Sequence, residues 1–398
     1  MKKLFIPFLL LSFLILSGCR KDLFQQPVKP CSGTDVPNNS AHPMKDSIEA
    51  IMARYIAKGI PGIQVAVKNN NGWYTTAGGV ASIETKAPMQ SCAAGWLFSL
   101  TKAYTASLVM KQHERGTINL EAPINQYLHS DISAHIKGSD RITVRMLLSH
   151  SSGLINFTEL PAYMIGQFNN PADQPSIFEM LQMVYDQELL STPGTEYSYS
   201  NTNYLLLYVI LETVTGKPYQ QLLQTEILQP LQLRHTYYNV SPQQAEALNF
   251  PNYYFDRFAK DQLENVTLWN HYLGNASYGW GGIAATPSDA ILFYEALMGG
   301  KVVSAASLQQ MTTWFQGQSS DEPNYGLGIE YWQFQPGSTP QRGHEGDGIG
   351  NSTMILYVPD NNTYLFINCT AGRKLFGPYL FKITDFKNEL AGYVARWR

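Results

Sequence analysis

Hydrophobic and polar positions along the chain fall into a succession of distinct rhythms. From Leu4 to Leu16 apolar residues are almost unbroken, a run too short and wrongly flanked for a membrane span and typical of a secretory signal. From Met44, "MKDSIEAIMARYIAKGI" places apolar residues three and four apart and stops at Gly59, which predicts a helix. "PGIQVAVKNNNGWYTTAGG" then reads as two strands joined by an Asn/Gly turn. "LFSLTKAYTASLVMKQHERG" predicts a helix ending at Gly116, and residues 117–270 are mainly helical in pattern, most clearly in "ITVRMLLSHSSGL" and "NYLLLYVILETVTGKPYQQLLQTEIL". Strand patterns return in "YGLGIEYWQF" and "STMILYVPDNNTYLFINCT", before a closing helix, "YLFKITDFKNELAGYVARW". No internal repeat is visible. The expectation is an α/β (α+β) fold. Its antiparallel sheet is built from the N- and C-terminal segments, residues 44–116 and 271–398, flanked by helices, with a mainly helical domain inserted at 117–270.

The 398 residues are 44% hydrophobic, ample for a large core. A net charge of −3 without any run of Lys or Arg argues against a nucleic-acid partner. "LSGC", directly after the apolar run, resembles the lipobox of bacterial lipoproteins. That resemblance implies a signal peptide at 1–18 and acylation of Cys19. The Pro-, Ser- and Asn-rich stretch 19–43 then becomes a tether that lifts the folded part off a membrane. It places the protein at the bacterial cell envelope, facing the periplasm or the exterior. Loss of Lys2 and Lys3 would leave 26 basic residues (28 less two) against 31 acidic ones, a net of −5. With Cys19 lipidated, Cys31, Cys92 and Cys369 remain. At most one bridge can form, and the sequence leaves its pairing open.

Three short stretches carry candidate chemistry. In "FSLTKAY", Ser99 and Lys102 stand three apart, and on a helix their Cβ atoms lie about 5–6 Å apart. An adjacent amine can take the serine proton, and nearby helix N-terminal N–H groups can stabilise an oxyanion. In "TPGTEYSYSNTNYLLL", Tyr199 and Asn201 sit in a turn before a helix, a phenol for proton transfer and an amide to orient a carbonyl. In "RGHEGDGIGNSTMILYV", four glycines flank His344 before an apolar strand, without the context of a phosphate-binding loop. The eight histidines show no metal-ligand spacing, so neither a metal nor a cofactor is expected. His150, in "LLSHSSGL", reads as a structural turn residue.

S-x-x-K, then Y-x-N, then His-x-Gly before a late strand is the order of the penicillin-recognising serine hydrolases. Across roughly residues 45–385 the chain resembles their branch of class C β-lactamases and serine D-Ala-D-Ala carboxypeptidases. "ITVRMLLSHSSGL", "GWGGIAATPSDA" and "NYGLGIEYW" resemble that family's connecting segments in family order. The resemblance implies a β-lactamase/transpeptidase-like fold and an acyl-enzyme on Ser99, with Lys102 and Tyr199 sharing the proton handling. Either of the two could be the base. It also implies Asn201 holding the substrate amide, an oxyanion hole from the Ser99 and Asp347 N–H groups, and His344 and Gly346 beside it.

The implied activity is D-alanyl-D-alanine carboxypeptidase-like, on a small peptide or peptidoglycan-derived substrate, with no cofactor. A D-aminopeptidase, amidase or esterase is the alternative. A class C β-lactamase ranks below these, and a non-catalytic β-lactam sensor last. The chain departs from the pattern where carboxypeptidases present hydroxyls and an arginine to a substrate carboxylate. It has Glu345, Asp347 and Glu330 there, which would repel that anion unless Glu345 or Asp347 points away or pairs with Arg342. Oligomeric state is not legible.

Overall fold

The computed structural model describes residues 28, 31, 36–315, 325–334, 336–373 and 377–398. The expected signal peptide and Cys19 lie outside the described residues. Six strands form the central sheet: β1 (Gly62–Asn69), β2 (Gly72–Gly79), β3 (Glu330–Trp332), β4 (Gln341–Asp347), β5 (Ser352–Val358) and β6 (Thr363–Cys369). Their spatial order is β2-β1-β6-β5-β4-β3, and every neighbouring pair is antiparallel. Two strands therefore come from the beginning of the chain and four from its end.

Alternation along each strand sorts side chains to two separate cores. Ile63, Val65 and Val67 of β1, Leu365 and Ile367 of β6, and Met354 and Leu356 of β5 face one core. Helices α1 (Lys45–Ala57) and α6 (Pro378–Arg396) cover it, the latter with Ile383, Phe386, Leu390 and Val394 at helical spacing. Ala66, Phe366 and Ile355 face the other core. Helix α2 (Thr101–Glu114), helix α3 (Asn201–Thr215) and helix α5 (Pro287–Met298) contribute to that second core, and helix α4 (Thr267–Asn275) adds Leu273. Because both faces are covered, β1 and β6 read as nearly continuous apolar runs.

Short helices dominate the middle third, but strand Thr236–Tyr238 within it pairs with Ile283–Ala285, which also pairs with Gly95–Trp96. This small sheet ties the helical part to the segment that leads into Ser99.

The stretch expected to be tether is packed from Val36 onward. Val36 is buried, Asn38 bridges to Trp73, and His42 lies between Asn69 and the Met44 N–H. Cys31 pairs with Cys92, and Cys369 is buried and free. The Gln64 amide donates to the carbonyls of Gln90 and Ala93 on either side of Cys92, and accepts from Asn368 on β6.

Phe386 is fully buried beneath the sheet, 5.3 Å from the Tyr55 ring, and far from the face that carries Ser99. Phe386→Ala should lower the urea-unfolding free energy by about 3–5 kcal/mol.

Candidate active site

The run from Ala93 to Met110 is buried at every residue except Ser99. Leu97 is pinned by its N–H to the Ile283 carbonyl, and Phe98 takes a positive φ of 45°. That conformation is costly for a non-glycine residue. It is held because the Phe98 ring is enclosed between Trp96 and Gly348, where a Cβ on Gly348 would come 2.2 Å from Phe98. The chain then makes a 3₁₀ turn, Phe98–Leu100, before α2 begins at Thr101. Ser99 thus precedes the α-helix in which the sequence pattern places it.

Lys102 is completely buried, and its Nζ contacts three oxygens: Ser99 Oγ at 3.0 Å, Asn201 Oδ1 at 2.8 Å and the Trp280 carbonyl at 3.0 Å. It also lies 4.8 Å from the centre of the Tyr199 ring. The Tyr199 phenol hydrogen-bonds Ser99. Burial, reinforced by the nearby Glu330, pushes the phenol well above its usual range and outweighs that hydrogen bond. Asn201 opens α3, where its N–H donates to Asn156 Oδ1 and its amide to Thr158 Oγ1. The structure therefore brings Ser99, Lys102, Tyr199 and Asn201 together.

The edge of β4 meets this group through glycine. A Cβ on Gly346 would lie 2.0 Å from the Leu97 carbonyl oxygen. The Thr353 hydroxyl contacts both that oxygen and the Gly346 carbonyl, and the Asn351 amide donates to the Trp96 carbonyl. Asn270 of α4 closes the arrangement by holding Gly350 and Asn351.

His344, expected beside the substrate, is fully buried. Tyr325 OH lies 2.7 Å from Nε2, and Nδ1 lies 2.5 Å from the Glu345 carbonyl. Burial, assisted by the Lys102 charge, pushes it down to about 3, so the imidazole is neutral. Its link to Tyr199 runs through the Tyr325 ring, 6.3 Å from that of Tyr199.

Glu345 and Asp347 do not point toward Ser99. Register places them opposite Met354 and Ser352, on the α6 face, whereas Gly346 stands opposite Thr353 on the face that meets Leu97. Their partners are not Arg342. Arg373 binds both carboxylates, and Lys387, buried on α6, binds Glu345 at 2.8 Å. Burial alone would raise the Asp347 carboxyl, but Arg373 and Lys387 hold it well below the usual range. Glu330 is pushed up to about 8 by burial and by Glu345, whose N–H it accepts at 3.1 Å.

Several residues at the site were not singled out as such from the sequence: Asn156 and Thr158, Tyr325, the Trp280 carbonyl, Arg373 and Lys387. His150 packs its ring 4.3 Å from Tyr199. Its place in "LLSHSSGL" was the one available signal. Among the described residues no cluster of His, Cys, Asp and Glu could hold a metal, and no helix is long and apolar enough to cross a membrane.

A serine thus sits on a buried lysine at the junction of a sheet and a helical part. The sequence pattern of the family described as Beta-lactamase matches residues 44–376, and the chain belongs to this family. A penicillin-binding protein of Bacillus subtilis (strain 168) is 27% identical over 325 residues, covering 77% of this chain and 67% of its own. The D-alanyl-D-alanine-carboxypeptidase/endopeptidase AmpH of Escherichia coli (strain K12) is 25% identical over 307 residues, covering 74% and 73%. Another curated relative is matched over only 38% of its own length. A D-stereospecific amidohydrolase from Streptomyces sp. superposes with a TM-score of 0.72 at 25% identity, covering 82% of this chain and 94% of that one. The chain is a serine hydrolase of the β-lactamase/penicillin-binding-protein fold.

Buried histidines and Glu330 pull the pH dependence of stability in opposite directions. His344 and His271 are both pushed to about 3 by burial, from 6.5. The unfolded chain therefore binds more protons between about 3 and 6.5, and stability from these two rises with pH across that range. Glu330 acts oppositely. It keeps its proton to about 8 when folded but loses it near 4.5 when unfolded, so its contribution declines as pH rises through that interval. Of the three, only Glu330 titrates above 6.5. Glu330→Gln should flatten the loss of unfolding free energy between pH 6.5 and about 8.5, and an unchanged slope would contradict a buried proton on Glu330.

Proposed function

We propose that this protein hydrolyses D-amino-acid peptides or amides through an acyl-enzyme on Ser99. The observation that carries the reading is the three-oxygen environment of Lys102 Nζ. A charged Lys102 donates to all three oxygens, and once deprotonated it keeps two N–H groups and one lone pair. Two of its neighbours, Asn201 Oδ1 and the Trp280 carbonyl, can only accept, and the third, Ser99, can donate. Lys102 so arranged is the general base: Ser99 Oγ bonds to the substrate carbonyl carbon as its proton passes to Nζ. Tyr199, a neutral phenol in contact with Ser99, relays a proton to the leaving nitrogen, and the C–N bond breaks. Water repeats the sequence on the ester. The Ser99 and Asp347 N–H groups serve the oxyanion, and Asn201 orients the substrate amide.

The sequence favours release of a terminal D-Ala, as in a D-alanyl-D-alanine carboxypeptidase. A carboxylate there needs a cation, and Arg373 and Lys387 lie behind β4, on the α6 face, engaged by Glu345 and Asp347. This engagement favours a second reading at the leaving-group end, a neutral group, so that an amidase or endopeptidase cut outpaces removal of a free terminal residue. Cys19 acylation places the enzyme at the bacterial envelope, where peptidoglycan-derived D-peptides are found. The Cys31–Cys92 bridge accords with such an oxidising compartment.

The deciding measurement compares initial rates on an N-acylated peptide ending in D-Ala-D-Ala and on the same peptide with its C-terminus amidated, with Ser99→Ala as control. The amidated peptide should be cleaved at least as fast, and both activities should vanish in the control. A preference of about tenfold or more for the free acid would reinstate the carboxypeptidase. Activity that survives Ser99→Ala would remove the acyl-enzyme altogether.

A further inference from the structure

His150 lies outside the group that touches Ser99, yet it engages three consecutive residues of the catalytic turn. Its carbonyl accepts the Ser198 N–H at 2.8 Å. Its ring lies 4.3 Å from the Tyr199 ring at an interplanar angle of 34°. Its Nδ1 accepts the Ser200 N–H at 3.2 Å. A single residue can present carbonyl, ring face and ring nitrogen to one segment because its backbone takes the left-handed conformation, with φ of 55°. The fold sustains that costly conformation for a bulky residue.

The surroundings fix the ring as well. The imidazole is fully buried among Tyr197, Tyr199, Tyr204 and Tyr325, with ring centres 4.3–6.2 Å away. The Asn203 amide lies 3.1 Å from the same Nδ1. With Nδ1 accepting, the proton resides on Nε2, which has no partner among the described residues. Burial and the nearby Lys102 charge keep the ring neutral, and a second proton would abolish the acceptor that holds Ser200.

We infer that His150 is a positioning residue for the Ser99 reaction, clamping residues 198–200 so that Tyr199 and Asn201 stand correctly around Lys102. The inference rests on the acyl-enzyme reading above. Asn201 follows Ser200 directly, so slack in the clamp displaces both groups that complete the Ser99–Lys102 pair. A shift of about 1 Å in such a group can cost roughly a hundredfold in rate without weakening binding.

The test is phosphonylation of Ser99 in the full chain by a fluorophosphonate, followed as the mass increment on the protein. The attack forms a P–O bond and expels fluoride, while the serine proton passes to Lys102. Maximal rate and half-saturating concentration are measured separately. His150→Gly keeps the backbone conformation and removes the ring; His150→Phe keeps a ring without the acceptor. His150→Asn keeps an acceptor near Nδ1 and tolerates positive φ. The maximal rate should fall by about a hundredfold in the Gly and Phe variants, with half-saturation within about twofold, and recover to within about tenfold of wild type in the Asn variant.

Thermal unfolding checks each variant. Should either Gly or Phe fail to fold, the other decides. A folded Gly or Phe variant reacting at the wild-type maximal rate overturns the clamp, as does an Asn variant no better than Gly. Wild type that gains no adduct overturns both the clamp and the reading beneath it.

Discussion

A fully buried lysine at position 102 is the constraint on which the rest of the site depends. Its Nζ needs oxygen neighbours in an interior that otherwise offers apolar and aromatic side chains, and a buried polar group without partners is costly. The chain supplies those neighbours from three distant places: Ser99 from the turn just before, Asn201 from the start of α3, and the Trp280 carbonyl from the loop ahead of the small sheet. Satisfying one amine therefore pulls together the sheet part and the helical part. Ser99 lies at the junction between them. Asn156 and Thr158 extend the same logic outward, since each holds Asn201 by a group that Lys102 does not use.

Strand β4 divides its labour by parity. Gly346 and His344 face the inner core, where the missing side chain at Gly346 lets the strand touch the Leu97 carbonyl. Glu345 and Asp347 face α6, where Arg373 and Lys387 neutralise them. A cluster of two carboxylates and two cations a few ångströms behind the reactive edge costs desolvation, and each group survives there only because all four are present. The acidic appearance of "HEGD" is thus a property of the back of the strand.

Much of the architecture is legible in the sequence because its cues are local. The β1–β2 hairpin announces itself by an Asn/Gly turn between apolar runs, and α6 by apolar residues at helical spacing. Ser99 and Lys102 share one turn and can be paired from their spacing alone. Tyr199 and Asn201 look like an ordinary polar turn, and only their order relative to the other two motifs marks them. What could not be read depends on register and on distant partners. The four glycines around His344 suggest a solvated turn, yet they belong to a strand and its tight return, and His344 is buried against Tyr325. Arg373 stands 26 residues beyond Asp347 and meets it only because β6 returns beside β5 and the segment after it folds over the sheet. His150 looks like a turn residue, and it is one. Nothing local reveals that the turn carries its ring beneath Tyr199.

The Cys31–Cys92 bridge has a mechanical consequence. A pull on the chain ahead of Cys31 can enter the body along the backbone, where 68 residues separate Cys31 from Ser99, or across the disulfide, where only seven separate Cys92 from Ser99. The covalent short cut would deliver load almost at the nucleophile were it not intercepted. Gln64 holds the carbonyls on both sides of Cys92, and Asn368 holds Gln64 in turn. Gln64 and Asn368 stand on β1 and β6, each paired on both sides within the sheet. A pull applied ahead of Cys31 would thus meet the sheet before it meets the turn that carries Ser99.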